Sequence, residues 1–340
     1  MQIGKHITIK DVAQKAGVAI STVSRVFNGL DRVSPETRAK VELAVKELEY
    51  SPNSRAVSMI TGHTKTIQML VPDFVNDFYG SVIQGVEEVL RNNDYMLMVC
   101  STGDSQEADL SAYIKRFFDV IDGVIAIPSN ANIGNIQSLG KPVIFVDRAI
   151  LGSGIAAVTA DNAGGTYLLT KELIRAGHKK IAVISGDMQL NVGQQRLWGY
   201  RCALSDSGIA ENADYIACGA MYEETGYRSF KRLMQLSNPP TGVVACNNLI
   251  CIGCVRAAGE LGLRIGKDIS LVGFDDHVLA SIPNPGITVV AGQTIEMGRR
   301  AANMILARIR HKDIKEAEVS MPVELIRRNS IRDLRASPAK

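Results

Sequence analysis

Apolar residues in the first fifty positions recur at helical spacing in three short segments, with polar residues between them. Gly17 separates the first two segments, and glycine adopts positive φ at a helix end without steric cost. Ser34 and Pro35 open the third segment as a cap and a first helical residue. Three such helices close a small core, whose predicted members are Val12, Ala13, Ala16, Val23, Val26, Phe27, Val41, Ala44, Val45 and Leu48.

The second predicted helix, over residues 20–28, has a polar face opposite its apolar one. Ser21, Ser24, Arg25 and Asn28 lie at i, i+3, i+4 and i+7, and bring hydroxyls, a guanidinium and an amide without a carboxylate. Two short helices followed by a third are typical of a helix-turn-helix unit, whose second helix docks in the DNA major groove. A solvated helical hairpin is the alternative interpretation, since polar helix faces usually contact water.

From residue 66 the pattern changes to short apolar runs that alternate with amphipathic helical stretches. The runs are TIQMLVP, YMLMVC, DGVIAIP, KPVIFVD, KIAVISG, GVVACN and ISLVGFD. Nearly continuous apolar strands separated by helices predict parallel sheets covered on both faces, and therefore an α/β fold. The remaining length is sufficient for two such sheets facing one another.

Several of these apolar runs end in a polar residue or a glycine. These residues are Asp73, Asp147, Gly186, Asn247 and Asp275. Open parallel sheets bind ligands in the crevice outside the carboxyl ends of their strands. The sequence therefore predicts a small-molecule cleft formed by these strand ends.

Charge is distributed unevenly along the chain of 340 residues. Residues 1–66 hold ten Lys and Arg against six Asp and Glu, whereas the whole chain has a net charge of +3. A positive terminal domain is a weak but consistent sign of contact with a phosphate backbone. No stretch approaches the apolar length that spans a bilayer, and the start lacks the apolar core of a signal peptide, so we expect a cytoplasmic protein without membrane contact.

With these features in place, the chain resembles the lactose-repressor (LacI/GalR) family of bacterial transcription regulators over about residues 7–330. The resemblance is carried by TIKDVAQKAGV, STVSRVFNG, VSPETRAKV, LEYSPN, ELIRAGHKKIAVISG, QQRLWGY and GKDISLVGFDD. It implies a helix-turn-helix headpiece, a hinge helix and a periplasmic-binding-protein-like core of two Rossmann-like parallel-sheet subdomains. It also implies an effector cleft between the subdomains and a homodimer that reads near-palindromic operator DNA.

This resemblance sets the expected domain boundaries. We expect the DNA-binding headpiece over residues 1–52 and the hinge helix with its linker over 53–65. The effector-binding and dimerisation core then occupies 66–330, and a polar tail occupies 331–340. Tetramerisation is not expected, because the tail has no leucine heptads.

The resemblance also implies which residues contact DNA. Arg25 can pair with both acceptors of a guanine, whereas Ile20 offers only apolar contact. Met59 takes the place of a leucine that wedges into the minor groove, and an apolar wedge of this kind kinks a base step. The implied DNA-contacting residues are Ile20, Ser21, Arg25, Asn28, Asn53 and Met59.

A second implied set binds the effector in the cleft. Its two cations, two carboxylates and one amide suit a small polyhydroxy ligand such as a sugar or a sugar derivative, including one with a carboxylate or phosphate. Asp161 is interpreted instead as a cap of the helix that follows it. The implied effector-binding residues are Phe78, Tyr79, Asp147, Arg148, Arg196, Met221, Asn247 and Asp275.

The spacing of three cysteines suggests a separate hypothesis, a metal or redox role. Cys246, Cys251 and Cys254 follow a C-x4-C-x2-C pattern, which is similar to part of an iron–sulfur ligand run. We interpret them as small hydrophobic core residues, because Cys246 ends a predicted buried strand and the other two share a helix face. A cysteine-based redox or metal-responsive regulator is the alternative that this spacing keeps open.

Two further classes of protein fit the sequence less well. A solute-binding protein would share the core, but it has a signal peptide and no helix-turn-helix. An enzyme is disfavoured because the sequence has no phosphate-binding glycine loop and the cleft set has no paired nucleophile and base. We therefore expect no catalytic residue, no metal site and no cofactor.

Overall fold

The computed structural model describes residues 7–27, 33–50, 63–103, 109–129, 133, 136–281, 285–311 and 318–335. The chain divides into two compact units, Met1–Lys65 and Thr66–Lys340. Asn28, Asn53, Met59 and the predicted hinge helix over residues 53–60 lie outside the described residues.

The first unit contains three helices: α1 (Ile9–Ala16), α2 (Ile20–Phe27) and α3 (Pro35–Glu47). Asp11 Oδ2 fixes the start of α1 by accepting hydrogen bonds from the Thr8 backbone N at 2.8 Å and from Thr8 Oγ1 at 2.7 Å. Gly17 ends the helix with φ of 67°. At α3, Ser34 Oγ accepts from the Thr37 backbone N at 3.3 Å, as the sequence predicts.

The core of this unit lies where the three helices meet. Its buried members are Val12, Ala13, Val23, Val26, Val41 and Ala44. Phe27 does not join them, so this prediction was wrong: 38% of the residue is exposed, and its ring lies 6.0 Å from that of Tyr50. The face of α2 that packs inward runs through Val23 and Val26, and Phe27 falls at its edge.

The second unit contains two six-stranded sheets. The strands are β1 (Thr66–Val71), β2 (Met96–Ser101), β3 (Gly123–Ala126), β4 (Val143–Val146), β5 (Ala157–Ala160), β6 (Ile181–Ser185), β7 (Ile216–Cys218), β8 (Gly242–Ala245), β9 (Ser270–Phe274), β10 (Thr288–Gly292), β11 (Glu318–Met321) and β12 (Val323–Ile326). The first sheet has the order β11-β5-β4-β3-β1-β2, and the second has the order β12-β10-β9-β8-β6-β7. Each sheet defines one subdomain.

Helices cover both sheets. They are α4 (Asp77–Arg91), α5 (Leu110–Arg116), α6 (Asn162–Arg175), α7 (Asn191–Ser205), α8 (Glu223–Met234), α9 (Asn248–Glu260), α10 (Val278–Ser281) and α11 (Thr294–Ile309). Separate apolar clusters lie against the two sheets, and β1, β4, β8 and β9 are buried almost throughout. The fold is therefore the predicted one: an all-α headpiece followed by two parallel-dominated α/β subdomains.

The chain crosses between the subdomains three times. It leaves the first sheet after β5, returns after β10 to α11, and crosses again between β11 and β12. β12 pairs antiparallel with β10, the one exception to parallel pairing among the described strands. The seven apolar runs of the sequence do not include β5, β7, β10, β11 or β12. β7, β11 and β12 are short and partly exposed, and β5 and β10 are short and contain threonine or glycine, so none of the five gives a long apolar run.

Helices α4 and α11 approach closely at Gly298. A Cβ added there would lie 2.2 Å from the Val82 carbonyl oxygen and 2.9 Å from the Val86 backbone nitrogen, both within α4. Backbone atoms of a packed helix have no room to give way. The glycine at this position is therefore a requirement of helix packing.

We expect Gly298→Ala to lower the free energy of unfolding by about 3 kcal/mol through overpacking. Gly259→Ala is a suitable control, because a Cβ at this exposed helical position meets nothing within 4 Å. The control should be neutral or stabilising by about 0.5–1 kcal/mol, since alanine favours helix. Urea unfolding of both variants measures the difference, and equal stability of the two would contradict the packing argument.

Candidate functional site

All eight residues of the predicted effector set line a single cavity between the two subdomains. We call it the central cavity. Asp147 follows β4 of the first sheet, whereas Asn247 and Asp275 follow β8 and β9 of the second. The lining residues are Asp73, Asn76, Phe78, Tyr79, Asp147, Arg148, Val192, Arg196, Met221, Tyr222, Asn247, Asn248, Leu249 and Asp275.

The central cavity is narrow. Its volume is about 430 Å³ when the space open to solvent is included, but the centre of a water-sized sphere has only about 20 Å³ in which to move. That is room for one or two water molecules. A ligand of sugar size therefore requires the two subdomains to separate, or side chains to move, before it enters.

Arg148 is held in the first subdomain by three groups. Its Nη1 donates to the Pro128 carbonyl at 3.0 Å, its Nη2 donates to Tyr79 Oη at 3.2 Å, and its Nε lies 3.5 Å from Asp147 Oδ2. Arg148 is 3% exposed. The guanidinium thus orients the phenol and the carboxylate that face the cavity.

Arg196 plays the equivalent part in the second subdomain. Its Nε donates to Asn162 Oδ1 at 2.8 Å, its Nη1 donates to the Cys246 carbonyl, and the same Nη1 lies 3.7 Å from Asp275 Oδ2. The guanidinium carbon stacks 3.6 Å from the centroid of the Phe274 ring. Arg196 therefore lines the cavity and also joins α7 to the strand ends.

Asp147 and Asp275 occupy corresponding positions in the two sheets. Each directly follows a strand and has positive φ, 66° and 69°, a conformation that aspartate tolerates better than most residues. Burial raises the pKa of Asp147, and the neighbouring Arg148 and Arg196 oppose this effect. Burial raises the pKa of Asp275 to about 6, with Arg196 opposing and Asp147 adding to the increase.

Two asparagines that the sequence did not predict, Asn76 and Asn248, join the two subdomains at the site. Asn248 Nδ2 donates across the cleft to Asn76 Oδ1 at 2.7 Å and to Asp77 Oδ1 at 3.2 Å. Asn247 caps α9 through the Ile250 backbone N at 2.7 Å. The sequence analysis missed Asn76, Tyr222, Asn248 and Leu249, and the Asn247-Asn248 pair at a strand end was the one signal that pointed to this contact.

The predicted cap role of Asp161 is present in the structure. Asp161 Oδ1 accepts from the Gly164 backbone N at 2.8 Å at the start of α6. This carboxylate is not among the residues that line the central cavity.

The predicted DNA-contacting residues that the structure describes lie together on α2. Ile20, Ser21 and Arg25 are exposed on this helix, while Val23 and Val26 on its other side are buried. The side chains of Ile20, Ser21 and Arg25 therefore form one accessible face of the first unit.

Comparison with known proteins decides the family. Residues 8–53 match the family model described as bacterial regulatory proteins, lacI family, and residues 170–331 match the periplasmic binding protein-like domain. The ribose operon repressor of Haemophilus influenzae is 33% identical over 330 residues, which cover 96% of this chain and 99% of the relative. The chain belongs to the lacI family of bacterial regulatory proteins.

Two solved structures are similar to this lacI-family chain over nearly its whole length. The complex of the transcriptional regulator CelR with cellobiose has a TM-score of 0.72 at 29% identity, covering 95% of this chain and 99% of the other. The lac repressor dimer bound to operator and the anti-inducer ONPF has a TM-score of 0.84 at 25% identity, covering 96% and 100%. The predicted family and fold class are confirmed.

The three closely spaced cysteines lie in apolar cores. Cys246 belongs to one cluster, and Cys251 and Cys254 belong to another. Burial raises the pKa of Cys246 and of Cys251 to about 12. Among the described residues, no group of three or more His, Cys, Asp or Glu is arranged to hold a metal ion.

We expect the native protein to expose few reactive thiols. Cys218 is exposed, whereas Cys246, Cys251 and Cys254 are buried and stay protonated, so a thiol reagent should reach those three only after unfolding. Titration with a chromogenic disulfide should report at most three thiols in the native protein and six in denaturant. Rapid reaction of all six thiols in the native state would revive the redox-sensor hypothesis.

No helix within the described ranges is both long enough and apolar enough to cross a membrane.

Proposed function

We propose that this regulator is a cytoplasmic repressor that binds a near-palindromic operator as a homodimer. A sugar or sugar derivative in the central cavity switches its operator affinity. One observation carries the proposal: residues from strand ends of both subdomains line one narrow cavity. A ligand in that position contacts both subdomains at once, so its binding is coupled to their separation.

The chemistry of the central cavity supports a polyhydroxy ligand. Asp147 and Asp275 offer acceptors from opposite subdomains, the Tyr79 hydroxyl and the Asn247 amide offer polar groups, and Phe78 provides an apolar surface. Hydroxyl groups of a sugar match such alternating donors and acceptors. The relatives point the same way, since one is a ribose operon repressor and one solved structure is a cellobiose complex.

The switch follows from the difference between two states of the cleft. Asn248 joins the subdomains through Asn76 and Asp77 in the closed form, and three chain crossings provide the hinge. A ligand shifts such an equilibrium only by its differential affinity for the two states. Asp147 and Asp275 supply that difference, because the two residues contact the ligand together only when both subdomains face it.

The edge of the first sheet supports the proposed homodimer. β2 ends the sheet, and its apolar residues are half-exposed, with Met96 69% exposed. An exposed apolar edge strand tends to pair with other chains and aggregate unless another surface covers it. A second copy of the chain is the proposed cover, as the lac repressor structure is itself a dimer.

The proposed function is tested with the full-length protein and DNA selected by it from a random library. A panel of sugars, sugar derivatives and nucleobases is screened by thermal shift, where a ligand at 100 times its Kd adds about 2.7 kcal/mol to stability. Each ligand that raises the Tm is then added to the DNA retardation assay. Failure to enrich a near-palindromic sequence, or stabilising ligands that leave DNA binding unchanged, would refute the proposal.

Arg25→Ala should weaken binding to the selected operator by about 1–3 kcal/mol and relax the base preference at one position per half-site. The reason is that a guanidinium on the exposed face of α2 can read guanine through two hydrogen bonds. Lys40→Ala is the matched control, because it removes a cation from α3 of the same unit. Fluorescence anisotropy on operator and random DNA measures both variants, and equal losses on the two DNAs would make Arg25 a phosphate contact.

A further inference from the structure

A second cavity adjoins the central cavity at Phe78 and Asp275, which line both. We call it the side cavity. The centre of a water-sized sphere has about 120 Å³ in which to move there, several times more than in the central cavity. The side cavity is lined by Asp77, Phe78, Ser81, Asp275, Asp276, Ala291, Gly292 and Thr294.

The lining of the side cavity is acidic. Three carboxylates and two hydroxyls face it, and none of its described lining residues is positively charged. Asp276 is already paired, since Arg328 Nη1 and Nη2 each donate to it at 2.9 Å. Asp77 accepts a hydrogen bond from the neutral Asn248. The remaining negative charge comes mostly from Asp77, which is exposed, and from Asp275, whose ion pair with Arg196 spans 3.7 Å.

Asp275 is the most buried of the three carboxylates. It is 9% exposed, and no hydrogen bond from the described residues reaches its carboxylate. Its ion pair with Arg196 spans 3.7 Å, beyond hydrogen-bond length. Burial raises the pKa of Asp275, Arg196 opposes this increase, and the nearby Asp147 and Asp77 add to it. A buried carboxylate in this condition gains free energy from any donor that reaches it.

We propose that the effector carries a protonated amino group which enters the side cavity and binds Asp275 and Asp77. The effector class is thus an amino sugar or a similar polyhydroxy amine. This inference rests on the proposed function, because it assumes that the main body of the ligand occupies the central cavity. An organic ammonium fits better than a bare metal ion, since the described carboxylates are not arranged as metal ligands.

The arginines of the central cavity do not favour an anionic effector. Arg148 is engaged by Pro128, Tyr79 and Asp147, and Arg196 by Asn162, Cys246 and Asp275. A carboxylate or phosphate on the ligand has to displace these partners and also approach Asp77 and Asp147. Repulsion between like charges is stronger in a partly buried site than in water.

The proposal is tested by titrating the full-length protein at neutral pH with three matched series of hexoses. Glucosamine, galactosamine and mannosamine are compared with the neutral sugars glucose, galactose and mannose, and with the 6-phosphates of those neutral sugars. The Kd of each is measured by calorimetry. In at least one series the amine should bind about tenfold tighter than the neutral sugar, the factor that one charge-assisted hydrogen bond provides. The phosphate should bind most weakly.

Asp77→Asn should reduce that amine preference severalfold, because it removes a charge but keeps an acceptor for Asn248. Asp187→Asn is the matched control: its carboxylate also accepts one hydrogen bond, from the Gln189 backbone N, and it lines neither cavity. The control should keep the full preference. A preference that survives Asp77→Asn unchanged would overturn the assignment of the side cavity.

Failure of this inference differs from failure of the proposed function. If none of the amines binds, or if a neutral sugar or phosphate binds at least as well in every series, the amine proposal is wrong. The proposed function still stands in that case if another ligand of the wider panel releases or strengthens operator binding. If no ligand of any charge affects operator binding, both proposals fall together.

Discussion

Arg196→Ala should abolish the response of operator binding to the effector. Arg196 is 2% exposed and its guanidinium pairs with Asp275 in the cavity, so its removal leaves a buried group without its partner. Truncating one partner of such a pair costs about 2–5 kcal/mol, or roughly 30-fold to several thousandfold in effector affinity. Calorimetry with the effector, together with operator retardation on the same preparation, measures this loss.

Arg196→Ala should also be less stable than the wild-type protein. Arg196 also binds Asn162 and the Cys246 carbonyl and stacks on Phe274, so it joins α7 to the sheet. In Arg196→Ala the pKa of Asp275, already raised to about 6 by burial, rises further because the opposing cation is gone. The folded variant then binds a proton more readily than the unfolded chain, and its stability should increase as the pH falls through this pKa.

A double variant separates binding from folding. Arg196→Ala with Asp275→Asn removes both charges, so it should regain part of the lost stability while the effector response stays absent. Arg201→Ala is the control on the same helix, because that side chain is 45% exposed and pairs with Glu211 at the surface. It should cost no more than about 1 kcal/mol and leave the response intact. An intact effector response in Arg196→Ala would remove Arg196 from the site.

The sequence pattern predicted most of the α/β core because buried parallel strands leave a strong signal. Runs such as TIQMLVP and KPVIFVD contain β1 and β4 and are apolar almost throughout, which is typical of strands covered on both faces. The short strands β11 and β12 carry no such signal, since each lies at a sheet edge with alternating exposure. Their positions depend on tertiary pairing with β5 and β10.

The site was predictable at residues close to the carboxyl end of a strand, and unpredictable where a residue's role depends on the other subdomain. Asp147, Asn247 and Asp275 were found because the carboxyl ends of parallel strands form the ligand edge of a sheet. Asn76 and Asn248 were missed because their contact exists only when the two subdomains face each other. The side cavity was not predicted either, because Asp77 and Asp275 are far apart in the chain.

Removal of residues 1–65 should abolish specific operator binding and leave effector binding intact. The two units have separate apolar cores: Val12, Val23 and Val41 pack within the first, and independent clusters support the sheets of the second. The predicted base-reading residues Ile20, Ser21 and Arg25 are all removed by this truncation. The effector residues from Phe78 to Asp275 all remain.

The truncated protein, residues 66–340, should therefore melt cooperatively and gain the same Tm increase from the effector as the full-length protein. Its affinity for operator should fall to that for random DNA, a loss of about 4–10 kcal/mol, since the remaining chain has a net charge near −1 and offers no headpiece to the phosphate backbone. The operator affinity of Arg25→Ala, which keeps the rest of the headpiece, should lie between those of the full-length and the truncated protein. Retention of operator binding by residues 66–340 would place the DNA-binding surface on the core, whereas loss of the effector's stabilisation would show that the central cavity needs the headpiece to form.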